Sequence, residues 1–246
     1  MQKQEMDRGT DALQAHLSGT ASMSIRQTRR GWLQECFGCE ARTEFKYFIG
    51  DNQVAQSLDD ANCCCRIFCK PIYPFTAQVK ELNSDAELLS VERPCRCAAG
   101  FCKCCCYQEL IMTSGGQSMG SIKETCYYCV PEFKIYGAQN EEIYKLHPPT
   151  CCCGMCVNCF TEGNPCCGKG CCKVPFWIFD AKDNRTNGSN AKMLGKIVKV
   201  PKSLMVEVFT DSDAFDVTFP SDANVTQKAL LMGSALLVNA TFFEEK

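Results

Sequence analysis

The stretch VTQKALLMGSALLVNATFF, residues 225–243, decides the fold of this chain. It begins as a helix should, because Asn224 can cap the first turn and Gln227, three residues later, completes a capping-box pattern. From Ala229 to Phe243 it carries no charged residue, and its large apolar side chains fall on every side of a 3.6-residue helix. Such a helix has no face for water, so it must be buried in a protein core or in lipid.

The length of this segment favours a protein core over a bilayer. Its charge-free part, fifteen residues at ~1.5 Å each, spans ~22 Å, whereas the hydrocarbon core of a bilayer is ~30 Å thick. Asn239 and the Gly233-Ser234 pair also interrupt it. We therefore predict a helix over residues 225–243 that fills the core of the fold, with a membrane span as the alternative.

The chain that precedes this helix has the pattern of short strands separated by turns. Residues 45–49 lead into Gly50-Asp51-Asn52, for example, and residues 107–112 and 119–123 flank Gly115-Gly116. Turn residues that recur every ~8–12 positions, with few helical periods, indicate an antiparallel architecture. We predict a mainly β fold in which one closed sheet surrounds the helix and leaves no exposed edge.

The predicted domain organisation has two parts. Residues 1–24 are polar and short of order signals, which predicts a flexible N-terminal tail. Residues 25–246 form one barrel domain with cysteine-rich loops and the terminal helix. Residues 1–28 also lack the apolar stretch of a secretory signal. The net charge of −2 gives no reason to expect general affinity for nucleic acid.

Cysteine is the outlier of the composition, with 23 residues among 246. The odd count and adjacent runs such as Cys63-Cys64-Cys65 argue against an ordinary disulfide framework, so we expect a cytosolic, reduced protein. The cysteines group at residues 63–69, 95–106, 126–129 and 151–172, with one predicted hairpin between consecutive groups. Because a hairpin returns the chain to the end that it left, all four groups belong on one rim of the barrel.

This rim has the composition of a membrane-binding surface. A basic residue near an anionic leaflet contributes ~1 kcal/mol, and several lie within or beside the cysteine groups: Arg66, Lys70, Arg93, Arg96, Lys103, Lys169 and Lys173. A thioester-linked acyl chain adds ~0.8 kcal/mol per buried CH₂, and two anchors make attachment stable. Four cysteines beside Phe101 and Tyr107 suit multiple S-acylation: Cys102, Cys104, Cys105 and Cys106.

Zinc binding and unmodified thiols are the alternatives for the cysteines. Chelating spacing occurs at Cys36-x-x-Cys39, Cys126-x-x-Cys129 and Cys153-x-x-Cys156-x-x-Cys159, and four further cysteines are available to complete sites: Cys166, Cys167, Cys171 and Cys172. This spacing is a weak signal in so cysteine-rich a chain. We therefore favour acylation for residues 102–106, and leave metal binding and acylation equally open for residues 151–172.

The sequence carries no motif for covalent catalysis. His16 and His147 are its only histidines, and His147 precedes Pro148-Pro149 at a predicted strand end, where a structural role is the simpler interpretation. No GxSxG, GxGxxG or P-loop pattern occurs. We expect a protein without enzymatic chemistry.

Several motifs in combination resemble the phospholipid scramblase family. They are Val91-Glu92-Arg93-Pro94-Cys95-Arg96-Cys97, the cluster at 102–106 followed by Gln108-Glu109, Gly195-Lys196-Ile197, the segment from Phe209 through Phe219-Pro220, and the terminal helix with Phe242-Phe243-Glu244. The resemblance runs from about Leu13 to the end. It implies the tubby-like fold, a closed antiparallel barrel of about twelve strands around a hydrophobic C-terminal helix. It also implies calcium-stimulated, ATP-independent movement of phospholipids between leaflets in both directions, and palmitoylation of the cysteine cluster.

The resemblance also places a calcium segment on Asp211, Asp213, Phe215, Val217 and Asp222. Taken alone this pattern is weak, because an EF-hand loop needs Gly at its sixth position and prefers Glu at its twelfth, where this chain has Asp216 and Asp222. Residues 215–219 also alternate like a strand, which would hold Asp213 and Asp222 roughly 30 Å apart. We therefore expect Asp211 and Asp213 in a turn that binds calcium weakly if at all.

Three hypotheses of function follow. The first is a phospholipid scramblase on the cytoplasmic face of the plasma membrane, bound to the anionic inner leaflet, with Ca²⁺ and palmitoyl groups as cofactors, Zn²⁺ as a further candidate and a homo-oligomer as one path for lipid. The second is a palmitoylated lipid-binding or signalling adaptor that moves no lipid. The third is a nuclear pool that binds nucleic acid when not acylated, because residues 195–202 resemble the family's import signal. Lysines in a strand are more often a solvated edge, so nucleic acid is not the expected partner.

Overall fold

The structure, a computed structural model, describes residues 2–29, 43–60, 73–84, 86–96, 106–127, 129–151, 154–158, 175–186, 191–200 and 214–243. These residues form helix α1 (Gln2–Leu17), strands β1 (Ser22–Arg29), β2 (Thr43–Ile49), β3 (Asn52–Asp59), β4 (Phe75–Glu81), β5 (Glu87–Arg93), β6 (Glu109–Ser114), β7 (Gln117–Glu124), β8 (Phe133–Gly137), β9 (Glu142–His147), β10 (Thr150–Cys151), β11 (Cys156–Val157), β12 (Pro175–Asp180), β13 (Gly195–Val200) and β14 (Ala214–Thr218), and helix α2 (Val225–Val238), which continues as a π-helical turn at Asn239–Phe243.

Twelve of the described strands pair into a closed barrel, in the order β1-β14-β13-β12-β9-β8-β7-β6-β5-β4-β3-β2. All of these pairings are antiparallel, and the barrel closes where β1 pairs with β14 through Ile25 opposite Phe215. Strands β10 and β11 form a separate two-stranded hairpin. The prediction of a mainly β, closed antiparallel barrel of about twelve strands is confirmed.

Alternation along the strands decides which side chains reach the interior. In β4, Phe75, Ala77 and Val79 are buried, whereas Thr76 and Gln78 are exposed. Successive side chains of a strand point to opposite faces of the sheet, so one face of this strand meets the interior and the other meets solvent. The inward-facing residues of the barrel and the residues of α2 form one continuous hydrophobic core.

Helix α2 occupies the interior of the barrel, as its sequence predicts. Residues 228–238 are all buried. The predicted capping box is also present: the backbone N–H of Gln227 donates to Asn224 Oδ1, and the backbone N–H of Asn224 donates to Gln227 Oε1, each at 2.9 Å. Among the described residues, no helix combines the length and hydrophobicity that a membrane crossing requires. The preference for a core helix over a membrane span is confirmed by this burial.

The prediction of a flexible tail over residues 1–24 is wrong. Gln2–Leu17 form helix α1, and β1 already begins at Ser22. Leu13 and Leu17 of α1 are buried in the hydrophobic core. The helix packs against β5, β6 and α2 at the end of the barrel where α2 begins. The segment is mostly polar, so its sequence does not reveal that Leu13 and Leu17 are buried. Their burial requires the assembled barrel.

Lys228 joins α1 to α2 and explains how a charge is accommodated in the core. Its Nζ donates to the carbonyl oxygens of Leu17, Ser18 and Thr20 at 2.9, 3.3 and 2.8 Å. These carbonyls lie at the C-terminal end of α1, where the helix dipole favours a cation. A buried ammonium group needs such partners, because an unpaired buried charge is strongly destabilising. Lys228 therefore fixes the end of α1 against α2.

The close approach of α1 to β5 allows the docked position of α1 to be tested. A Cβ at Gly9 would lie 2.1 Å from the carbonyl oxygen of Glu87, so Gly9→Ala should move α1 away from the barrel and lower the free energy of unfolding by about 1–3 kcal/mol. In a free helical tail the same change would be favourable, since Ala has the higher helix propensity. Urea denaturation measures the stability, and hydrogen exchange over residues 8–17 reports the docking of α1.

Gly19→Ala is the matched control. A Cβ at Gly19 meets nothing within 4 Å, so this variant should change stability by less than about 0.5 kcal/mol. A Gly9→Ala protein as stable as the parent, with unchanged exchange over residues 8–17, would contradict the docked position of α1.

Candidate functional site at the cysteine end of the barrel

The strands that flank the four cysteine groups all reach the same end of the barrel. This end, here called the cysteine end, is where β3 connects to β4, β5 to β6, β7 to β8 and β9 to β12. The opposite end, here called the turn end, carries short turns such as Gly50-Asp51 and Gly115-Gly116. Because neighbouring strands are antiparallel, consecutive connections alternate between the two ends. The prediction that the cysteine groups share one rim is confirmed for the strand ends that lead into them.

The C-terminal end of α2 also reaches the cysteine end. Asn239 donates through Nδ2 to Gln27 Oε1 in β1 at 2.7 Å, and both residues are buried. Phe242 packs against Phe133 and Phe176 with ring centroids 5.9 and 6.0 Å apart, and it remains 38% exposed. The start of β8 and the start of β12 thus hold an exposed aromatic ring at the cysteine end.

The structure describes only some of the predicted site residues. Cys95, Cys126, Cys129 and Cys156 are exposed, Cys106 and Cys151 are partly buried, and all six are reduced. Within the described ranges, no group of three or more His, Cys, Asp or Glu side chains is arranged to hold a metal ion. The remaining predicted residues lie outside the described ones: Cys36, Cys39, Cys102, Cys104, Cys105, Cys153, Cys159, Cys166, Cys167, Cys171, Cys172, Asp211 and Asp213.

Arg93 does not belong to the basic surface on which the sequence placed it. Its side chain is buried, and Nε and Nη2 donate to Gln108 Oε1 at 3.2 and 2.7 Å. The backbone N–H of Gln108 donates to Glu124 Oε2 at 3.1 Å. The guanidinium also lies 5.9 Å from the ring centroids of Tyr73 and Phe75. This buried polar network ties the last residue of β5 to the chain entering β6, and so holds both ends of the connection that contains residues 95–106.

Arg96 remains at the surface but is not an isolated charge. It pairs with Glu109, which Lys123 also approaches at 3.3 Å. An exposed pair of this kind contributes little to stability. Two cations and one carboxylate give this small cluster a net positive charge.

His147 lies beside a cavity on the outside of the barrel wall. Its Nδ1 is 2.8 Å from the Pro148 carbonyl oxygen, and its ring stacks on Phe179 with centroids 4.6 Å apart. Burial lowers the pKa of this buried imidazole, which supports the predicted structural role. The cavity, of about 480 Å³, is also lined by Cys126 and Cys129. Sequence reasoning did not pair this histidine with these cysteines, since only the fold brings them to one cavity.

The described part of the calcium segment runs along β14 to the turn end of the barrel. Phe215 and Val217 lie in β14 with their side chains in the core. Asp222 follows β14 at the turn end, where it lines a second cavity of about 690 Å³. Burial, with the nearby carboxylates Asp222 and Asp180, raises the pKa of Tyr144 in this cavity to about 12. Because β14 begins at Ala214 on the cysteine end, Asp222 lies at the opposite end of the barrel from the start of that strand.

Comparisons with known proteins show which family this chain resembles. The family model described as Scramblase matches residues 10–162 and 161–245. Phospholipid scramblase 1 of Homo sapiens is 31% identical over 208 residues, which are 85% of this chain and 58% of the relative. Phospholipid scramblase 2 of Bos taurus is 29% identical over 209 residues, 85% of this chain and 63% of the relative. This chain thus spans about three fifths of these relatives. No solved structure matches with significance.

The buried network at Arg93 predicts a specific loss of stability. Arg93→Met keeps the apolar contacts with Tyr73 and Phe75 but leaves Gln108 Oε1 without its charged donor, so the free energy of unfolding should fall by about 2–3 kcal/mol. The exposed neighbour gives the control, because Arg96→Met should cost less than about 1 kcal/mol. Urea denaturation compares the two, and equal losses would contradict the assigned network.

His147 predicts a dependence of stability on pH. Since burial lowers its pKa in the folded protein, the unfolded chain binds a proton first as the pH falls through about 6.5, and the folded state loses stability. The urea midpoint should therefore fall between about pH 7.5 and about pH 5.5, and His147→Asn should reduce this fall. If the urea midpoint fell equally in the parent and in His147→Asn, the pH dependence would come from groups other than His147.

Proposed function

The chain belongs to the scramblase family, and we propose that it is a membrane-associated phospholipid scramblase whose cysteine end faces the cytoplasmic leaflet of the plasma membrane. The observation that carries the proposal is the convergence on one end of the barrel. The strand ends beside all four cysteine groups and the exposed ring of Phe242 share that end. Acyl chains and an aromatic side chain on one surface suit insertion into a lipid leaflet.

Attachment in this proposal depends on S-acylation of Cys102, Cys104, Cys105 and Cys106. The Arg93 network supports it, because it fixes the two points at which their connection leaves and re-enters the barrel. Basic residues of the neighbouring sequence, such as Lys103, add attraction to anionic phospholipids. Zinc at residues 151–172 remains an alternative use for the cysteines of that group.

Lipid movement in this proposal takes place beside the barrel and not through it. Helix α2 fills the interior, and its residues 228–238 are buried there. A headgroup must therefore cross where the protein disturbs the leaflet. We assign this disturbance to the acylated cysteine end with Phe242, acting by local thinning of the bilayer or between protomers of an oligomer. Neither route involves covalent chemistry or ATP.

Calcium stimulation is assigned to Asp211 and Asp213. They precede β14, which begins at the cysteine end, so the proposal places their carboxylates toward the anionic leaflet. A calcium ion bridging these carboxylates and lipid phosphates would bind weakly to the protein alone and more strongly at a membrane. Asp222 lies beyond the other end of β14 and is not expected to share that ion.

The test uses the full chain reconstituted in vesicles that carry a fluorescent phospholipid in both leaflets. Dithionite bleaches only the outer leaflet unless lipid crosses, so the expected result is calcium-dependent bleaching of the inner pool, without ATP. The Asp211→Ala, Asp213→Ala double variant should need more calcium. Asp222→Ala is the matched control and should behave like the parent.

A palmitoylated adaptor is the second candidate, favoured by the filled interior of the barrel. In that case the acylated protein would bind the vesicles, hydroxylamine would release it by cleaving the thioesters, and no inner-leaflet dye would be bleached at any calcium concentration. That combination would exclude the scramblase proposal for this chain while retaining the acylated membrane-binding surface.

A further inference from the structure

Two cysteines face each other across the hairpin formed by β10 and β11. The register pairs Cys151 with Cys156, and Thr150 with Val157. The Asn158 amide donates to the Pro149 carbonyl at 2.7 Å, which extends the same register by one more residue pair. Residues directly opposed in antiparallel strands have Cα atoms about 4.5–5.5 Å apart and side chains on the same face. Disulfides join Cα atoms about 4.4–6.8 Å apart, so this register provides the Cα separation that a disulfide requires.

The hairpin differs in this respect from the cysteine runs elsewhere in the chain. Adjacent cysteines are poorly placed to bridge one another, whereas Cys151 and Cys156 are brought together by strand pairing. Gly154, at φ 88°, lies in the connection between the two strands, a conformation that glycine adopts readily. Both thiols are reduced, Cys156 is exposed and Cys151 is partly buried.

We propose that Cys151 and Cys156 are a redox-responsive dithiol that low-molecular-weight disulfides, such as glutathione disulfide, convert to a cross-strand disulfide. In the first step the exposed Cys156 thiolate attacks one sulfur of glutathione disulfide, and one glutathione thiolate leaves. In the second step the Cys151 thiolate attacks Cys156 Sγ and displaces the second glutathione. Two protein thiols are oxidised, one glutathione disulfide is reduced to two glutathione thiols, and the protons of the protein thiols pass to the leaving thiolates.

The local structure gives this disulfide a defined consequence. Each strand of the hairpin has only two residues, and a hairpin this short is marginally stable on its own. Thr150 and Met155 of the hairpin line the cavity beside His147. The disulfide closes residues 151–156 into a ring and so stabilises one wall of this cavity.

The test equilibrates the full chain with glutathione buffers of increasing oxidised fraction, blocks the remaining thiols with an alkylating reagent, and identifies linked cysteines by fragmentation mass spectrometry. The expected result is that Cys151 links to Cys156 before it links to any other cysteine, and that reduced glutathione reverses the link. The proposal would be overturned if Cys151 remained reduced, and was therefore alkylated, under conditions in which other cysteine pairs oxidise. It would also be overturned if Cys151 linked first to another cysteine.

A register-shifted variant supplies the matched control. Cys156→Ser combined with Val157→Cys keeps the number of cysteines but moves the second thiol to the opposite face of the hairpin. Linkage from Cys151 to this new position should fall by about tenfold or more, because the geometry no longer brings the two sulfurs together. Undiminished linkage would mean that proximity along the chain, and not strand register, brings these thiols together.

Discussion

The burial of a charge-free helix is the constraint on which this structure depends. Helix α2 has no face that water solvates well, so its stability requires an enclosure on all sides. A closed barrel supplies that enclosure and pairs the backbone groups of every barrel strand at the same time. The contact is close enough that a Cβ at Gly233 would lie 2.2 Å from Met112 Sδ. Helix and barrel therefore depend on each other, and neither is expected to keep its structure alone.

The position of the candidate site follows from this enclosure and from strand parity. Hairpins that leave from one end return to it, so every long cysteine-bearing connection begins and finishes at the cysteine end. Helix α2 enters from the turn end beside α1, and its direction brings Phe242 to the opposite end. Because of this chain direction, Phe242 and the strand ends that lead into the cysteine groups share one end of the barrel.

The sequence predicted those features that depend on short-range patterns. The local sequence shows the strand alternation, the turn residues, the capping box at Asn224 and the apolar helix. Because each hairpin returns the chain to the end that it left, these features also predict a common end for the cysteine groups. It failed where a residue's role depends on a distant partner. From the sequence, Arg93 was interpreted as a surface cation. In the structure it is buried and bonded to Gln108, which is in turn bonded to Glu124. Helix α1 was hidden because Lys228, which binds its last carbonyls, lies more than 200 residues away.

Asn239, near the end of α2, disfavours other positions of this helix within the barrel. Asn239 is buried and donates to Gln27, while its Oδ1 finds no hydrogen-bond partner among the described residues. A buried polar pair contributes little net stability but disfavours any arrangement in which either side chain loses its partner. Sliding α2 along the barrel axis, or withdrawing it into lipid, would leave both amides unpaired in apolar surroundings. This pair therefore fixes how far the helix extends, and with it the exposure of Phe242 at the cysteine end.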